Sequence, residues 1–399
     1  MKLAQRLDGV KPSPTLAITA KANELKAKGV DVVGFGAGEP DFDTPQAIKD
    51  AAVKAIGAGF TKYTPTGGIP KLREAVAARI QAEHGVAYKP SEVLVSCGGK
   101  HALYNLFQAL LNPGDEVVIF TPYWVSYADM VRLAEGTPVL VQTGPESDFE
   151  PTPAQIQGAI TARTKAVIVN SPSNPTGAMF SRRTLETVIA AVKGKDILVV
   201  SDDIYDKLVY KGKFENVLDL DPSLREQVAI VNGVSKTYAM TGWRIGWTAG
   251  PQALVSAMQK LQDNSTSNAS SIAQHAALAA LTLPLEAEIE KMRQTFDGRR
   301  KHIVQRLNAI PGVKCNEPSG AFYVFPDVRA LLARKAPGQA EPLGNDERFV
   351  AQLLEAHKVA AVPGSAFGAP GFMRLSFATS MEQIDKGLDR LAEMVKSLG

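Results

Sequence analysis

The chain has 399 residues, of which 45% are apolar and 21% are charged, and its formal net charge is +3 at pH 7. This composition is typical of a globular protein, and it excludes the basic footprint of a nucleic-acid-binding protein and the long apolar run of a membrane span. Only two cysteines occur, Cys97 and Cys315, and the amino terminus has no apolar signal region, so the sequence predicts a cytoplasmic protein in a reducing compartment.

Secondary-structure patterns divide the chain into two parts, as expected for a length above the ~250–300 residues that one hydrophobic core usually serves. After a helical pattern at 15–28, strand-like and helical patterns alternate, which indicates an α/β fold with a mainly parallel sheet and helices on both faces. Ligands of such sheets bind outside the carboxyl ends of the strands. The predicted strands lie near 92–96, 116–120, 138–142, 165–169, 196–200, 227–231 and 245–249. The predicted helices lie at 69–84, 99–111, 124–135, 153–161 and 181–193.

The last part of the chain has a different pattern. A long helical pattern at 282–309 leads out of the sheet, and segments 320–325 and 373–377 look like strands. A loop rich in proline, glycine and alanine covers 333–346, and a helix at 381–397 closes the chain. We therefore predict a large domain at 46–295 and a smaller α+β domain at 296–399.

A glycine-rich turn at 96–101 follows one predicted strand and opens a helix. Free backbone N–H groups and the helix dipole make such a turn an anion site, with Gly99 and Lys100 in its first turn. Glycine is also common in purely structural turns, and the spacing of a P-loop is missing here. Another glycine-rich run, at 34–38, lacks the spacing and the following helix of a dinucleotide fingerprint.

Polar side chains follow two other strands. Asn174 comes shortly after the strand at 165–169, and Asp202 lies at the end of the strand near 196–200, three residues before Tyr205. These positions favour a ligand site at the sheet edge. Taken singly, Asp202 can equally be a helix cap or a metal ligand, and Tyr205 a core aromatic.

Lys236 follows the apolar run at 228–231 and has small and aromatic neighbours. Such surroundings desolvate an amine and lower its pKa, which a lysine needs to attack a carbonyl group. Arg244, eight residues later, can hold an anion nearby. From these residues alone, a structural lysine remains an equal alternative.

Asn174, Asp202, Tyr205, Lys236 and Arg244 together resemble the fold-type I pyridoxal-phosphate enzymes and, within them, the class I aminotransferases of subgroup Ib, the aspartate aminotransferases. The resemblance runs from the Lys-Pro-Ser segment at 11–13 to the segment at 374–380, with five separated motifs in order. It implies a seven-stranded, mainly parallel sheet domain with a smaller α+β domain that the segment 1–45 joins. It also implies pyridoxal 5′-phosphate as the cofactor and a homodimer.

The resemblance assigns the cofactor contacts. Lys236 is the catalytic lysine, Asp202 holds the ring nitrogen in its protonated form, and Tyr205 and Asn174 donate to the phenolic oxygen of the ring. Trp124, just beyond the strand at 116–120, stacks on the ring, although large aromatics more often belong to a core.

The cofactor phosphate is expected at the turn with Gly99 and Lys100, completed by Ser235 and Arg244. Many members of the wider class carry a serine three residues before the lysine, where this chain has Gly233, so Ser235 departs from that pattern. Tyr63 matches the tyrosine that reaches the phosphate of the neighbouring subunit, with a rigid aromatic in a turn as the alternative.

Substrate contacts follow from the same resemblance. Arg374 binds the α-carboxylate through a fork that lysine cannot reproduce, and its apolar neighbours argue against a surface salt bridge. Gly38 contacts the same carboxylate through its backbone, and Asn174 and Trp124 adjoin the substrate. In subgroup Ib, the distal carboxylate of the substrate is held at the positions of Lys100 and Thr15, although Thr15 can also be a helix cap and Lys100 a surface residue.

The predicted reaction is transfer of the amino group of L-aspartate to 2-oxoglutarate, giving oxaloacetate and L-glutamate. Some subgroup members also convert prephenate to arogenate. The alternative within the fold is an aminotransferase of broader or aromatic/alanine specificity, because fold does not decide substrate. Two other classes are disfavoured. A transcriptional regulator would need an appended winged-helix module, which we do not expect before residue 11, and the five histidines show no metal-ligand spacing.

Overall fold

A seven-stranded sheet forms the centre of the computed structural model, which describes residues 1, 3–10, 12 and 14–399 apart from the side chains of residues 14 and 16. Residues 11 and 13 of the predicted amino-terminal motif lie outside the described residues. The strands of the sheet are β2 (Val93–Ser96), β3 (Glu116–Thr121), β4 (Thr137–Gln142), β5 (Thr164–Val169), β6 (Leu198–Asp202), β7 (Val228–Gly233) and β8 (Gly246–Ala249). The sheet order is β2-β8-β7-β6-β5-β3-β4, and β8 is the strand that runs opposite to the other six.

The central strands are buried on both faces. Val118 and Phe120 of β3 point into one hydrophobic cluster, whereas Val117 and Ile119 point into another on the opposite face. This alternation follows from the two-residue period of a strand. Continuous apolar strands of this kind are expected when helices cover both faces of a parallel sheet.

The helices begin and end at recognisable signals. Side-chain oxygens of Ser181, Ser270, Asn345 and Ser380 each cap the helix that begins at the next residue. The helices are α1 (Pro14–Ala27), α2 (Gln46–Gly57), α3 (Pro70–His84), α4 (Gly99–Leu110), α5 (Ser126–Leu133), α6 (Pro153–Ala159), α7 (Arg182–Val192), α8 (Val217–Leu220), α9 (Gln252–Asp263), α10 (Ser271–Thr282), α11 (Glu286–Asn308), α12 (Asp346–His357) and α13 (Met381–Ser397). None of them in the described part of the chain is both long and apolar enough to cross a bilayer.

Short strands form two further sheets. β9 (Tyr323–Val324), β11 (Val362–Pro363) and β12 (Met373–Ser376) pair antiparallel in the order β11-β12-β9, and α11 and α13 pack against them around a separate hydrophobic cluster. β1 (Val33–Gly34) pairs in parallel with β10 (Val359–Ala360). Ala22 of α1 packs with residues of α12 and β10, so the amino-terminal helix lies against the carboxyl-terminal part of the chain.

The predicted α/β fold with a mainly parallel seven-stranded sheet is confirmed, and each predicted strand of that sheet is present. The long helix predicted at 282–309 begins four residues later, at Glu286, because Pro284 cannot continue a helix and separates α10 from α11. Five helices, α2, α8, α9, α10 and α12, were not predicted. The domain boundaries near residues 45 and 295 stay a prediction.

Candidate active site

A cavity of about 380 Å³ lies at the carboxyl edge of the central sheet, a volume typical of small-molecule sites. Twelve of the thirteen predicted site residues line it, contributed by eight separate regions of the chain. They are Thr15, Gly38, Gly99, Lys100, Trp124, Asn174, Asp202, Tyr205, Ser235, Lys236, Arg244 and Arg374. The cavity lies where a ligand site is expected in a sheet of this topology, outside the carboxyl ends of the parallel strands.

Lys236 lies just after β7, and its side chain reaches into the cavity. Its Nζ donates a hydrogen bond to the Gly38 carbonyl at 2.5 Å and lies 5.9 Å from the centre of the Phe322 ring. Burial lowers the pKa of Lys236 to about 8, with Glu39 opposing this shift and the charge of Arg244 adding to it. An amine with this pKa is partly unprotonated near neutral pH, so it can act as a nucleophile and as a base.

Asp202 ends β6 and is 5% exposed. Burial raises the pKa of its carboxyl group to about 6, and hydrogen bonds from the Tyr127 hydroxyl and the Ile204 N–H limit that increase. Its neighbour Asp203 does not cap a helix but accepts hydrogen bonds from Ser201 and Asn216. The contact from Tyr127 was missed in the sequence, although Tyr127 lies three residues after Trp124 in the first turn of α5.

Hydrogen bonds formed by two asparagine side chains connect Asp202 to Arg374. The Asn170 Nδ2 donates to the Asp202 carbonyl at 3.0 Å, and the Asn170 Oδ1 accepts from the Asn174 N–H at 3.1 Å. Asn174 Oδ1 accepts from Arg374 Nη1 at 3.0 Å. Two asparagines of one loop therefore link the end of β6, which carries Asp202, to the guanidinium of Arg374.

Arg374 is 2% exposed, and its environment rules out the surface salt bridge. Within the described residues it forms no ion pair, and its Nη2 donates to the Gly36 carbonyl at 2.7 Å. Its Nε is buried without a partner, and the guanidinium lies 4.6 Å from the centre of the Tyr323 ring. A guanidinium has five N–H donors, and Arg374 lines the cavity with donors left unused, so it can bind a carboxylate.

Tyr205 and Tyr323 meet inside the cavity wall. Their hydroxyl oxygens are 3.0 Å apart, and both side chains are buried. Burial raises the pKa of both phenols, so each remains a hydrogen-bond donor at neutral pH. Tyr323 was predicted only as part of a strand, since nothing in its local sequence indicates a partner 118 residues away.

The turn before α4 also lines the cavity, through Gly99 and Lys100. Gly98 has φ of +90°, and a Cβ there would lie 2.6 Å from Arg244 Nη2, so only glycine fits. Arg244 Nη1 donates to the Thr241 carbonyl at 2.9 Å and Nη2 to the Cys97 carbonyl at 3.4 Å, so the guanidinium lies beside the turn that opens α4. The N–H groups of Gly99 and Lys100 have no intrahelical acceptor, so helix terminus, Ser235 and Arg244 form a cradle for an anion.

Lys100, Trp124 and Thr15 line the mouth of the same cavity. Lys100 Nζ lies 5.0 Å from the centre of the Trp124 ring, and burial with the nearby charge of Arg244 lowers the pKa of Lys100. Thr15 Oγ1 is buried without a hydrogen-bond partner. Lys100 is therefore more than a surface residue of a first helical turn.

Tyr63 is the one predicted site residue that lies outside the cavity. Its side chain is 92% exposed, in the loop between α2 and α3. The single chain therefore brings together every predicted contact except the one that the sequence assigned to a neighbouring subunit.

Comparisons with known proteins identify the family of the chain. The model of the family described as aminotransferase class I and II matches residues 30–391. An aspartate aminotransferase of Geobacillus stearothermophilus is 51% identical over 100% of both chains, and an aspartate/prephenate aminotransferase of Nitrosomonas europaea is 48% identical over 99% of this chain and 100% of its own.

Solved structures agree as well. The aspartate aminotransferase of Rhizobium meliloti superposes with a TM-score of 0.95 at 42% identity, covering 100% of both chains. That of Thermus thermophilus, solved with maleate, has a TM-score of 0.92 at 45% identity, covering 99% of this chain and 100% of its own. On the shared fold, the full-length relatives and the match of the family model, the chain belongs to the aminotransferase class I and II family.

Proposed function

We propose that the chain is a pyridoxal-phosphate-dependent aspartate aminotransferase, which moves the amino group of L-aspartate to 2-oxoglutarate. The observation that carries this proposal is the placement of Lys236, Asp202 and Arg374 around one cavity. An amine of lowered pKa, a buried carboxylate and a guanidinium with unused donors are the groups that amino-group transfer on this cofactor requires.

The residues present fit pyridoxal phosphate. Asp202 suits the pyridine nitrogen, since a buried carboxylate stabilises a protonated ring, and the anion cradle around Gly99 and Arg244 suits the phosphate. Tyr205 and Asn174 suit the phenolic oxygen, and Trp124 the ring face. When bound, the cofactor supplies an aldehyde that bonds to amines and a ring that withdraws electrons from the substrate Cα.

The protein's own part in the reaction is proton transfer. Lys236 would hold the cofactor through its ε-amine, and the same amine would carry the proton that leaves the Cα of the substrate. The lowered pKa of Lys236 leaves part of the amine unprotonated at neutral pH, which a base needs. Phe322 and the buried walls limit the access of water to this amine.

Substrate orientation is assigned to Arg374 and Lys100, which line the same cavity. Arg374 would hold the α-carboxylate, together with the Gly38 backbone. Lys100 and Thr15 would hold the distal carboxylate, since an ammonium and a buried hydroxyl without a partner suit a second anionic group. The names of the relatives and the maleate in the Thermus thermophilus structure, a four-carbon dicarboxylate, support a dicarboxylic substrate.

The same two contacts would serve prephenate, a dicarboxylic keto acid that the name of the Nitrosomonas europaea relative mentions. We therefore include conversion of prephenate to arogenate in the proposal. Broader, aromatic or alanine specificity is the alternative, and it predicts that loss of Lys100 has no selective effect.

We further propose a homodimer in which Tyr63 reaches the cofactor phosphate of the neighbouring subunit. A tyrosine that is 92% exposed in one chain, beside the exposed Phe60, supports a contact with another chain. A cytoplasmic location is part of the same proposal.

The proposal is tested by the absorbance spectrum of the purified protein before and after L-aspartate, with no keto acid present. We expect a yellow protein whose visible band converts to that of the aminated cofactor. A yellow protein that ignores aspartate would keep the cofactor but exclude this amino donor. Absence of a visible band after addition of pyridoxal phosphate would overturn the assignment of Lys236.

Replacing Lys100 with alanine tests the specificity. We expect kcat/KM for L-aspartate to fall about 10- to 100-fold, the value of a charge-assisted hydrogen bond, while the rate with L-alanine changes little. Steady-state kinetics with both amino acids measures the preference. Lys71→Ala is the matched control, because Lys71 occupies the same position in the first turn of α3 but lies outside the cavity. An unchanged aspartate-to-alanine preference would reject the role of Lys100.

A further inference from the structure

The loop at 60–69, which carries Tyr63, is held by two glutamines that the sequence analysis did not single out. Gln262 lies in the last turn of α9 and Gln274 in α10, and both side chains are 0% exposed. Buried amides are costly unless every donor and acceptor is paired, so their hydrogen bonds show what they stabilise.

Gln262 uses its full hydrogen-bonding capacity. Its Oε1 accepts from Ser96 Oγ at 2.7 Å and from Asn105 Nδ2 at 3.1 Å. Its Nε2 donates to the Thr66 carbonyl at 3.0 Å and to the Val95 carbonyl at 2.8 Å. An amide has two lone pairs and two N–H donors, so all four are satisfied.

These partners belong to two different parts of the site. Ser96 ends β2 immediately before the anion-binding turn, and Asn105 lies in the helix that this turn opens. Thr66 lies three residues after Tyr63 in the exposed loop. One buried side chain therefore connects the anion cradle of its own subunit to the loop that carries Tyr63.

Gln274 holds the same loop at two other points. Its Oε1 accepts from the Ile69 N–H at 2.7 Å, and its Nε2 donates to Thr64 Oγ1 at 3.1 Å and to the Ala269 carbonyl at 2.8 Å. Thr64 is the residue next to Tyr63. The two glutamines thus fix the part of the loop that directly follows Tyr63, whose side chain is 92% exposed.

We propose that Gln262 and Gln274 are positioning residues that hold Tyr63 in the conformation in which it reaches the partner subunit's cofactor phosphate. This inference rests on the proposed cofactor and dimer. A fully satisfied buried network gives the loop a single conformation, so little ordering entropy is lost when the tyrosine docks. Through Gln262, the same network connects the phosphate ends of the two sites of the dimer.

Mixed dimers separate this role from a structural one. The two subunits of each dimer carry different affinity tags, and one of them also carries Lys236→Ala. The visible band of lysine-bound cofactor therefore reports only the site of the other subunit. In the trans dimer, Gln262→Met is on the Lys236→Ala subunit, whose Tyr63 faces the reporting site. In the cis dimer, it is on the reporting subunit. The readout is the Kd for pyridoxal phosphate, from absorbance titration of the apo dimer.

We expect the trans dimer to bind pyridoxal phosphate about 10-fold more weakly, the loss expected for one hydrogen bond to a charged group. Tyr63→Phe in the trans position should give a similar loss, and combining both changes should add little, because they remove the same contact. An unchanged Kd in the trans dimer, whether or not the cis dimer is affected, would overturn the inference.

Two further variants protect the test against misfolding. Thr64→Val removes only the hydroxyl that Gln274 holds, is nearly isosteric, and should weaken binding in trans even if Gln262→Met does not fold. Gln227→Met removes an amide that donates to the Ile197 carbonyl at 3.3 Å, remote from the loop, and should lower thermal stability without changing Kd.

The set of dimers distinguishes the possible failures. If unmodified dimers show no visible band, the proposed function itself fails. If Tyr63→Phe has no effect in trans, the shared site fails. If Tyr63→Phe weakens binding but neither Gln262→Met nor Thr64→Val does, only the positioning role is wrong.

Discussion

Replacing Lys236 with alanine is expected to abolish transamination while the protein still binds pyridoxal phosphate. The proposed function assigns to Lys236 both the amine that bonds the cofactor aldehyde and the base that moves the Cα proton, so the variant would lose both. Loss of a positioned base alone typically costs about 10²- to 10⁴-fold in rate. The cofactor contacts of Asp202, Arg244 and the first turn of α4 do not involve Lys236, so binding should survive.

The measurement is turnover with L-aspartate and 2-oxoglutarate, together with the cofactor content of the purified variant. Lys260→Ala is the control, because Lys260 is an exposed lysine of α9 outside the cavity. Normal turnover by Lys236→Ala would end the proposal, whereas loss of both turnover and cofactor would call for a structural role of Lys236.

Replacing Arg374 with lysine is expected to reduce kcat/KM by about 10²- to 10³-fold for L-aspartate and L-alanine alike. Lysine keeps the charge but loses the planar fork that can bind a carboxylate while also bonding Asn174 and Gly36. Charge-assisted hydrogen bonds are worth about 1.5–3 kcal/mol each, so losing one or two accounts for this range. The effect should differ from that of Lys100→Ala, which is selective for dicarboxylic substrates.

Steady-state kinetics with both amino acids, and thermal unfolding of the variant, measure the prediction. Arg390→Lys is the matched control, since Arg390 pairs with Asp31 at the surface. If Arg374→Lys lowered the unfolding temperature but left KM unchanged, the buried guanidinium would serve stability and not substrate binding.

The local sequence predicted the central strands well, because each is a short apolar run bounded by turn residues. The order of those strands was not predictable in the same way. β8 lies between β2 and β7 and runs antiparallel to both, and its pairing with β2 joins segments far apart in the chain. Local periodicity contains no information about such partners. The start of α11, in contrast, was readable in principle from Pro284, which the periodicity alone ignored.

The candidate site shows the same division. Residues with a motif around them, such as Lys236 and Arg374, were found in the sequence and line the cavity. Tyr127, Tyr323 and Gln262 were missed, since their contacts span 75, 118 and up to 196 residues of sequence. A tyrosine or glutamine in an ordinary helix or strand has no local signal of such a contact.

By itself, the sequence determined the secondary-structure alternation, the family and the residue types available for chemistry, because periodicity and motif spacing are local properties of the chain. Only the tertiary structure decided which groups meet and what their surroundings do to them. The pKa of Lys236 falls to about 8 because the folded chain removes water from its amine. Likewise, Arg374 keeps unused donors because folding buries it away from every carboxylate of the described chain.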